Sequence, residues 1–204
     1  MPSFDTVHVE GIRNISGEDV ELADQLGFSI KLLGIVSMTE DGKTLQRVHP
    51  ALIPLNTALG GTHGVTNGLF TLGDFVGGVF SQGPGAGREA TASAVVSDLV
   101  DISLENTTDC FGVAVNTMKE MQTISMNERV GQYYLRFDNE KDRAAVVKEL
   151  KQINVTIEQR AADDKNFKSN CCVVTGEVLE SEIMSIVTGN EGSIKSMIRV
   201  EGPW

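Results

Sequence analysis

Gly83-Pro84-Gly85-Ala86-Gly87 runs directly into Thr91-Ala92-Ser93-Ala94-Val95-Val96-Ser97-Asp98-Leu99-Val100, a glycine loop that opens a helix. Such a junction lets a ligand approach bare backbone amides at the positive end of a helix dipole, which makes Gly83, Gly85 and Gly87 candidate binding positions. A plain turn before a helix explains the same residues. The loop lacks the full dinucleotide fingerprint, with its six-residue spacing after a strand and an acidic residue about 20 positions on. Two lysines invite attention as proton-handling groups. Lys31, between Ile30 and Leu32, reads as an outward, solvated ammonium, and Lys43 reads as a turn residue. His49 precedes Pro50 and reads as structural, with a proton relay as the alternative, while His8 and His63 have no recognisable partners. Cys110 and the adjacent Cys171-Cys172 show neither metal-ligand spacing nor a disulfide framework, so no metal site is expected. The adjacent pair reads as small buried residues on a strand.

The elements that must hold these residues follow two grammars. Through residue 105 the chain is rich in glycine and poor in lysine. Phe4 to Glu10 alternates like a short strand. Ser16 caps a helix carrying Val20, Leu22, Ala23 and Leu26 on one side, and Gly27 falls at its left-handed end. The apolar run Phe28 to Met38 predicts a buried strand, Asp41-Gly42-Lys43 a turn, and Thr44 to His49 a strand closed by Pro50 and Pro54. Gly68 to Phe80 is a second apolar stretch, split at Gly73-Asp74. Residues 106–129 are polar and read as a linker. From residue 130 the order strand, helix, strand, strand, helix, strand predicts a two-layer, ferredoxin-like βαββαβ module. Its elements are Tyr133–Phe137, Asp142–Ile153, Val155–Ile157, Asn170–Val174, Glu177–Val187 and Ile194–Val200, with a turn at Asp163-Asp164-Lys165-Asn166. The expected class is therefore α+β.

Composition narrows the partners. With 17 Lys and Arg against 28 Asp and Glu, the 204 residues carry a net charge of −11, a field that repels phosphate backbones. Nucleic acid is not an expected partner. At 41% hydrophobic the chain can fill a core. No uninterrupted apolar run reaches membrane-spanning length and no secretory leader is evident, so a soluble cytoplasmic protein is expected.

The first half resembles homoserine dehydrogenase. The resemblance rests on Val9-Glu10-Gly11-Ile12 with Asn14-Ile15, Gly27-Phe28-Ser29-Ile30-Lys31-Leu32-Leu33-Gly34-Ile35, and Arg47-Val48-His49-Pro50-Ala51-Leu52-Ile53-Pro54. It continues through Gly73-Asp74-Phe75-Val76-Gly77, the glycine loop and Thr91 to Asp98, in the family's order. The remainder resembles the ACT-type regulatory module that many bacterial members carry, down to Ile198-Arg199-Val200-Glu201-Gly202. This implies a mixed-sheet remnant of the catalytic domain over residues 1–105, a linker over 106–129 and an ACT-like module over 130–204. The implied chemistry is NAD(P)-dependent interconversion of L-aspartate 4-semialdehyde and L-homoserine, on the way to threonine, methionine and isoleucine. The resemblance gives Gly87 a backbone contact to the cofactor and leaves Gly85 and Gly83 mainly to the turn.

In the family, the NAD or NADP site lies on a Rossmann domain, and the substrate's acidic cluster and a proton-handling lysine follow it. These 204 residues match neither, so no catalytic residue is assigned and the chain alone is expected to be inactive. A separately encoded nucleotide-binding half is one expected partner, a second copy another, and an exposed apolar face is expected where the missing domain would pack. The ACT-type turn Asp-x-Pro-Gly is replaced by Asp142-Arg143-Ala144-Ala145, which puts binding of an amino-acid effector in doubt. A stand-alone amino-acid-sensing or dimerising protein is the alternative.

Overall fold

The computed structural model describes residues 4–106, 112–158 and 171–202. They divide into two compact units, Phe4–Gly60 with Gln122–Pro203, and Gly61–Met121. These units cut across the boundaries read from the sequence at residues 105 and 130.

The larger unit is one mixed sheet. Its strands are β1 (His8–Val9), β2 (Phe28–Met38), β3 (Thr44–Pro54), β6 (Val130–Phe137), β7 (Ile157–Glu158), β8 (Cys172–Thr175), β9 (Val178–Leu179) and β10 (Ile194–Val200). The four strands β10-β6-β8-β7 lie side by side and antiparallel, the ferredoxin-like order. Helices α3 (Glu140–Gln152) and α4 (Glu180–Gly189) supply the crossovers. Beyond β10 the sheet continues into β3, which pairs with it in parallel at Ala51 and Leu52. β1 pairs with the same side of β3 at Arg47 and Val48, and β2 runs antiparallel along the other side for its whole length.

That arrangement explains why β3 runs through Pro50 and ends only at Pro54. Leu55 N–H donates to Gly27 O, and Thr39 N–H to Lys43 O, which fixes the alternation of the β2–β3 ladder. Pro50 and Pro54 stand opposite Leu32 and Phe28, at positions that exchange no ladder bonds. The missing Pro50 N–H faces the gap between β1 and β10, so the ring costs no hydrogen bond.

The core has two sides. Tyr133, Leu135, Phe137 and Val173 face α3 and α4, packing on Val146, Leu150 and Ile183. Tyr134, Val174, Ile198 and Val200 face the other way, onto Leu22 and Ala23 of α1 (Gly17–Gln25), with Phe28 and Leu52. The expected two-layer module is therefore three-layered, because α1 covers the sheet face that βαββαβ units leave open. Ser16 caps α1 in a reciprocal box with Asp19, and Gly27 takes a φ of +80° just beyond its end. The sequence-based reading of β2 as buried is corrected: it borders the sheet, and Leu32, Val36 and Met38 are exposed. The turn at residues 163–166 and Cys110 lie outside the described residues.

The smaller unit is a two-stranded ribbon and a helix. β4 (Thr66–Gly73) and β5 (Gly77–Pro84) pair antiparallel, with Phe70 opposite Phe80 and a tip at Asp74-Phe75-Val76. α2 (Arg88–Ser103) follows, and none of its residues is buried. No helix among the described residues is long and apolar enough to cross a membrane.

Leu52 tests the continuity of the larger sheet, since its side chain is fully buried and its strand pairs with both β2 and β10. Leu52→Ala is expected to lower stability by about 2–5 kcal/mol in urea unfolding. A loss below about 1 kcal/mol would place Leu52 outside the core.

Candidate functional site

The glycine junction is built by the end of the ribbon. β5 stops at Pro84, Gly85 N–H donates to Val65 O at 2.8 Å, and the chain turns into α2 at Gly87. The three glycines are not equivalent. Gly87 is the residue before the first helical turn and has a φ of +120°, a conformation that L side chains rarely adopt. A Cβ on Gly85 would lie 1.9 Å from the Asn67 amide, so any larger residue there has to displace that side chain. Gly83, paired opposite Asn67, has open space around its missing Cβ and no left-handed backbone.

α2 begins without a side-chain cap, because Gly87 has none to offer. Its first-turn amides therefore remain available as donors. Glu89 in that turn complements the helix dipole and disfavours a second anion beside it. The stretch Gly85-Ala86-Gly87-Arg88-Glu89-Ala90 does have glycines at its first and third positions and a small residue at its sixth, contrary to the reading that this spacing is missing. What the junction lacks is the context. β5 belongs to an antiparallel ribbon, and among the described residues no parallel strand follows α2 to make a crossover.

In the larger unit the structure assembles a charged cluster that the sequence reading passed over. Glu201 accepts from Arg47 Nε at 3.2 Å, Arg47 Nη2 at 3.1 Å and Arg129 Nη2 at 3.1 Å. Arg129 Nη1 donates to the Tyr133 hydroxyl at 2.9 Å, which donates to Glu180 at 2.6 Å. Arg199, only 2% exposed, donates to Glu180 and with both Nη atoms to Glu10, at 2.7 and 2.8 Å. The three guanidinium groups thus meet three carboxylates. The sequence signal was the alternation of Ile198 and Val200 with Arg199 and Glu201, which puts two charges on one side of the chain at the end of β10. A cavity of about 320 Å³ opens beside this cluster, lined by His8, Glu10, Glu180, Arg199, Met126 and Met184 among others, but every nitrogen of Arg199 is already engaged.

Electrostatics follow from this packing. Burial works against the Glu201 carboxylate, but the facing Arg129 and Arg47 outweigh it and hold its pKa well below the usual carboxylate range. His49 Nε2 stands 3.5 Å from Glu201 without hydrogen-bond geometry, so the arginines carry that effect. Glu10 is likewise pulled to about 2, against burial, by Arg199. His49 is fully buried, with Nδ1 3.0 Å from Pro50 O.

His8 does have a partner, Glu10 at 2.8 Å, contrary to expectation. Lys31 is half-buried, and desolvation lowers its pKa. Lys43 pairs with Asp41 across the turn at 2.7 Å. Burial pushes the Cys172 thiol up to about 11, which makes it an unreactive packing residue. Among the described residues no group of three or more His, Cys, Asp or Glu side chains could hold a metal ion.

The family model for homoserine dehydrogenase matches residues 1–100. The homoserine dehydrogenase of Pseudomonas aeruginosa is 32% identical over 213 residues, covering 98% of this chain and 48% of the relative. That of Neisseria gonorrhoeae is 33% identical, covering 93% and 46%. Among solved structures, a homoserine dehydrogenase from Thiobacillus denitrificans superimposes with a TM-score of 0.77 at 29% identity, over 98% of this chain and 48% of that one. The chain spans about half the length of these relatives.

Glu201 gives the cluster a pH signature. Its folded pKa lies well below the ordinary 4.5, so the groups that face the carboxylate contribute stability to the folded chain. Because the folded value is depressed, that stability is fully present above pH 4.5 and drains away as pH falls towards 2. Glu201→Gln is expected to destabilise the chain at pH 7 and to flatten this acid limb, read by urea unfolding at pH 7, 5 and 3. An unchanged pH slope in the variant would show that another group carries it.

Proposed function

Because this chain belongs to the homoserine dehydrogenase family, we propose that it forms part of an NAD(P)-dependent oxidoreductase interconverting L-aspartate 4-semialdehyde and L-homoserine. Residues 1–105 contribute a piece of the catalytic domain and residues 130–204 an ACT-type module. A cytoplasmic location goes with this reading. The observation that carries it is the junction of β5 with α2, which lies within the matched residues and turns at Gly87 through a backbone conformation that favours glycine.

The junction suits a backbone contact to NAD or NADP. Gly87 has no side chain to hold a ligand off, and the uncapped amides after it are donors. Glu89 favours an uncharged part of the dinucleotide over its phosphates there. Gly85 lets Asn67 pack against the turn, and Gly83 is the least constrained of the three. When bound, the dinucleotide supplies or accepts the hydride. The share we assign to this chain is positional, with no residue at the junction given the substrate proton. Lys43 is paired and Lys31 sits in the other unit. Turnover therefore depends on a nucleotide-binding domain, and the apolar side chains exposed on α2 (Val95, Val96, Leu99, Val100 and Ile102) give that domain a surface to pack on.

A second reading draws support from the ferredoxin-like strand order, which is also the architecture of amino-acid-sensing modules. Against it, the α3 amides are met by the Asn139 side chain, which accepts from Asp142 N–H at 3.0 Å, and Ala144-Ala145 stand where a Pro-Gly pair would open the turn. A thermal shift with threonine, methionine or isoleucine would favour this sensor, and no shift across the panel would remove it.

The dehydrogenase reading is tested by NADPH oxidation with aspartate semialdehyde. The 204-residue chain alone is expected to be silent, and co-expression with the nucleotide-binding half of the Pseudomonas aeruginosa relative to restore turnover. Gly87→Val should then cut the restored rate at least about tenfold, an effect on the order of 1.4 kcal/mol. Turnover by the chain alone, or an indifferent Gly87→Val, would contradict the assignment.

A further inference from the structure

We infer that the larger sheet holds a binding slot for one uncharged, extended peptide residue, between the end of β1 and the start of β10 and edged by Met197. This is independent of the dehydrogenase reading. β1 and β10 pair with the same side of β3, β1 at Arg47 and Val48 and β10 at Ala51 and Leu52. Between these points the sheet is open. β10 makes no pair with β3 before Arg199, and β1 has already ended at Val9. A cavity of about 430 Å³ lies there, lined by Glu10, Gly11, Pro50, Ser196 and Met197 among others.

The ladder phase leaves backbone groups in this slot without partners. Glu201 N–H donates to Leu52 O, so Met197 and Arg199 turn their N–H and C=O groups towards β3, and Ser196, Ile198 and Val200 turn theirs towards β6. Arg199 is paired with β3. Met197 is not, and among the described residues nothing meets its N–H or its C=O. Across the slot, Glu10 N–H donates to Val48 O, and the next bond of that ladder would run from residue 50 to the Glu10 carbonyl. Residue 50 is proline and has no N–H to give. Ser196 adds a hydroxyl that is hydrogen-bonded to no described residue, on a side chain only 8% exposed. Buried polar groups nearly always have partners, so these four around one cavity mark a place for a ligand.

The chemistry of these groups selects the occupant. One residue that offers an N–H and a C=O side by side is matched by one residue of an extended peptide, which returns a C=O and an N–H in the antiparallel pattern. The Glu10 carbonyl accepts a further N–H. The charges at the slot are already neutralised: Lys195 pairs with Asp138 at 3.1 Å, and the Glu10 carboxylate with Arg199 at 2.7 and 2.8 Å. Ile15, Val187 and Ile194 complete the lining with apolar groups. The fitting ligand is therefore neutral, with a small apolar side chain, and the cavity falls in the range of roughly 300–1,000 Å³ usual for small-ligand sites.

The test is amide NMR on the 204-residue chain, with N-acetyl-alanine N-methylamide as the probe. In the free chain the Met197 amide is expected to exchange with solvent at least about tenfold faster than those of Ile198 and Val200, which face β6. The probe should shift the Met197 and Ser196 resonances saturably at millimolar concentration and slow the exchange of Met197. Acetate and ethylammonium, charged and of similar size, should do neither. Ser196→Ala should weaken binding at least about threefold. A Met197 amide as protected as Ile198 in the free chain overturns the proposal, because the edge is then already paired. A Met197 resonance unmoved by about 50 mM probe also overturns it and leaves a cavity that holds water only. So does acetate reproducing the shift, or Ser196→Ala binding as tightly as the wild type. The first two results need no variant.

Discussion

Three guanidinium groups and three carboxylates, most of them out of contact with water, form the constraint around which the larger unit is organised. Taking such charges out of water costs several kcal/mol each, and the cost is recovered only when geometry satisfies nearly every donor and acceptor. The partners come from far apart in sequence: Glu10 follows β1, Arg47 lies on β3, Arg129 precedes β6, Glu180 opens α4, and Arg199 and Glu201 lie on and just after β10. None of these elements can leave without stranding a buried charge. The cluster therefore makes the parallel β3–β10 contact obligatory, although that pairing is short. Arg136 repeats the device on a smaller scale, tying α1 to β6 through Asp19 and Glu18. Asp19 serves at once as the box partner of Ser16 and as the ion partner of Arg136, so one residue both starts the helix and docks it.

The smaller unit follows a different physical logic. Its ribbon and helix bury little, α2 has no buried residue, and its glycines are placed for backbone shape. Such a unit has too little core to be stable by itself and is suited to completing a surface supplied by another domain.

Local signals in the sequence were legible where the cause was local. Ser16, Gly27, Asp41-Gly42-Lys43 and the ferredoxin-like order of elements all follow from capping, turn chemistry and periodicity within a few residues. What was not legible depended on partners distant in the chain. Pro50 looks like a strand terminator until β1 and β10 are seen to leave a gap opposite its nitrogen. Phe28 to Met38 looks buried because composition does not distinguish a border strand from a central one. The charged cluster needed Glu10 and Arg199 to be brought together across 189 positions. At the glycine loop, residue types offered three positions alike, and only the structure separates Gly87, with its φ of +120°, and Gly85, crowded by the Asn67 side chain, from Gly83, which has open space.

The central structural claim is that the cluster makes β1–β3 and the ferredoxin-like strands one cooperative body. Native-state hydrogen exchange measures this directly, by comparing the amide of Ala51, on β3, with those of Leu135 and Val173, on β6 and β8. The account predicts that all three open only with global unfolding and share one exchange free energy. If Ala51 exchanges through a separate opening at distinctly lower free energy while Leu135 and Val173 stay protected, the buried charges do not bind the two parts into one unit and the account is wrong.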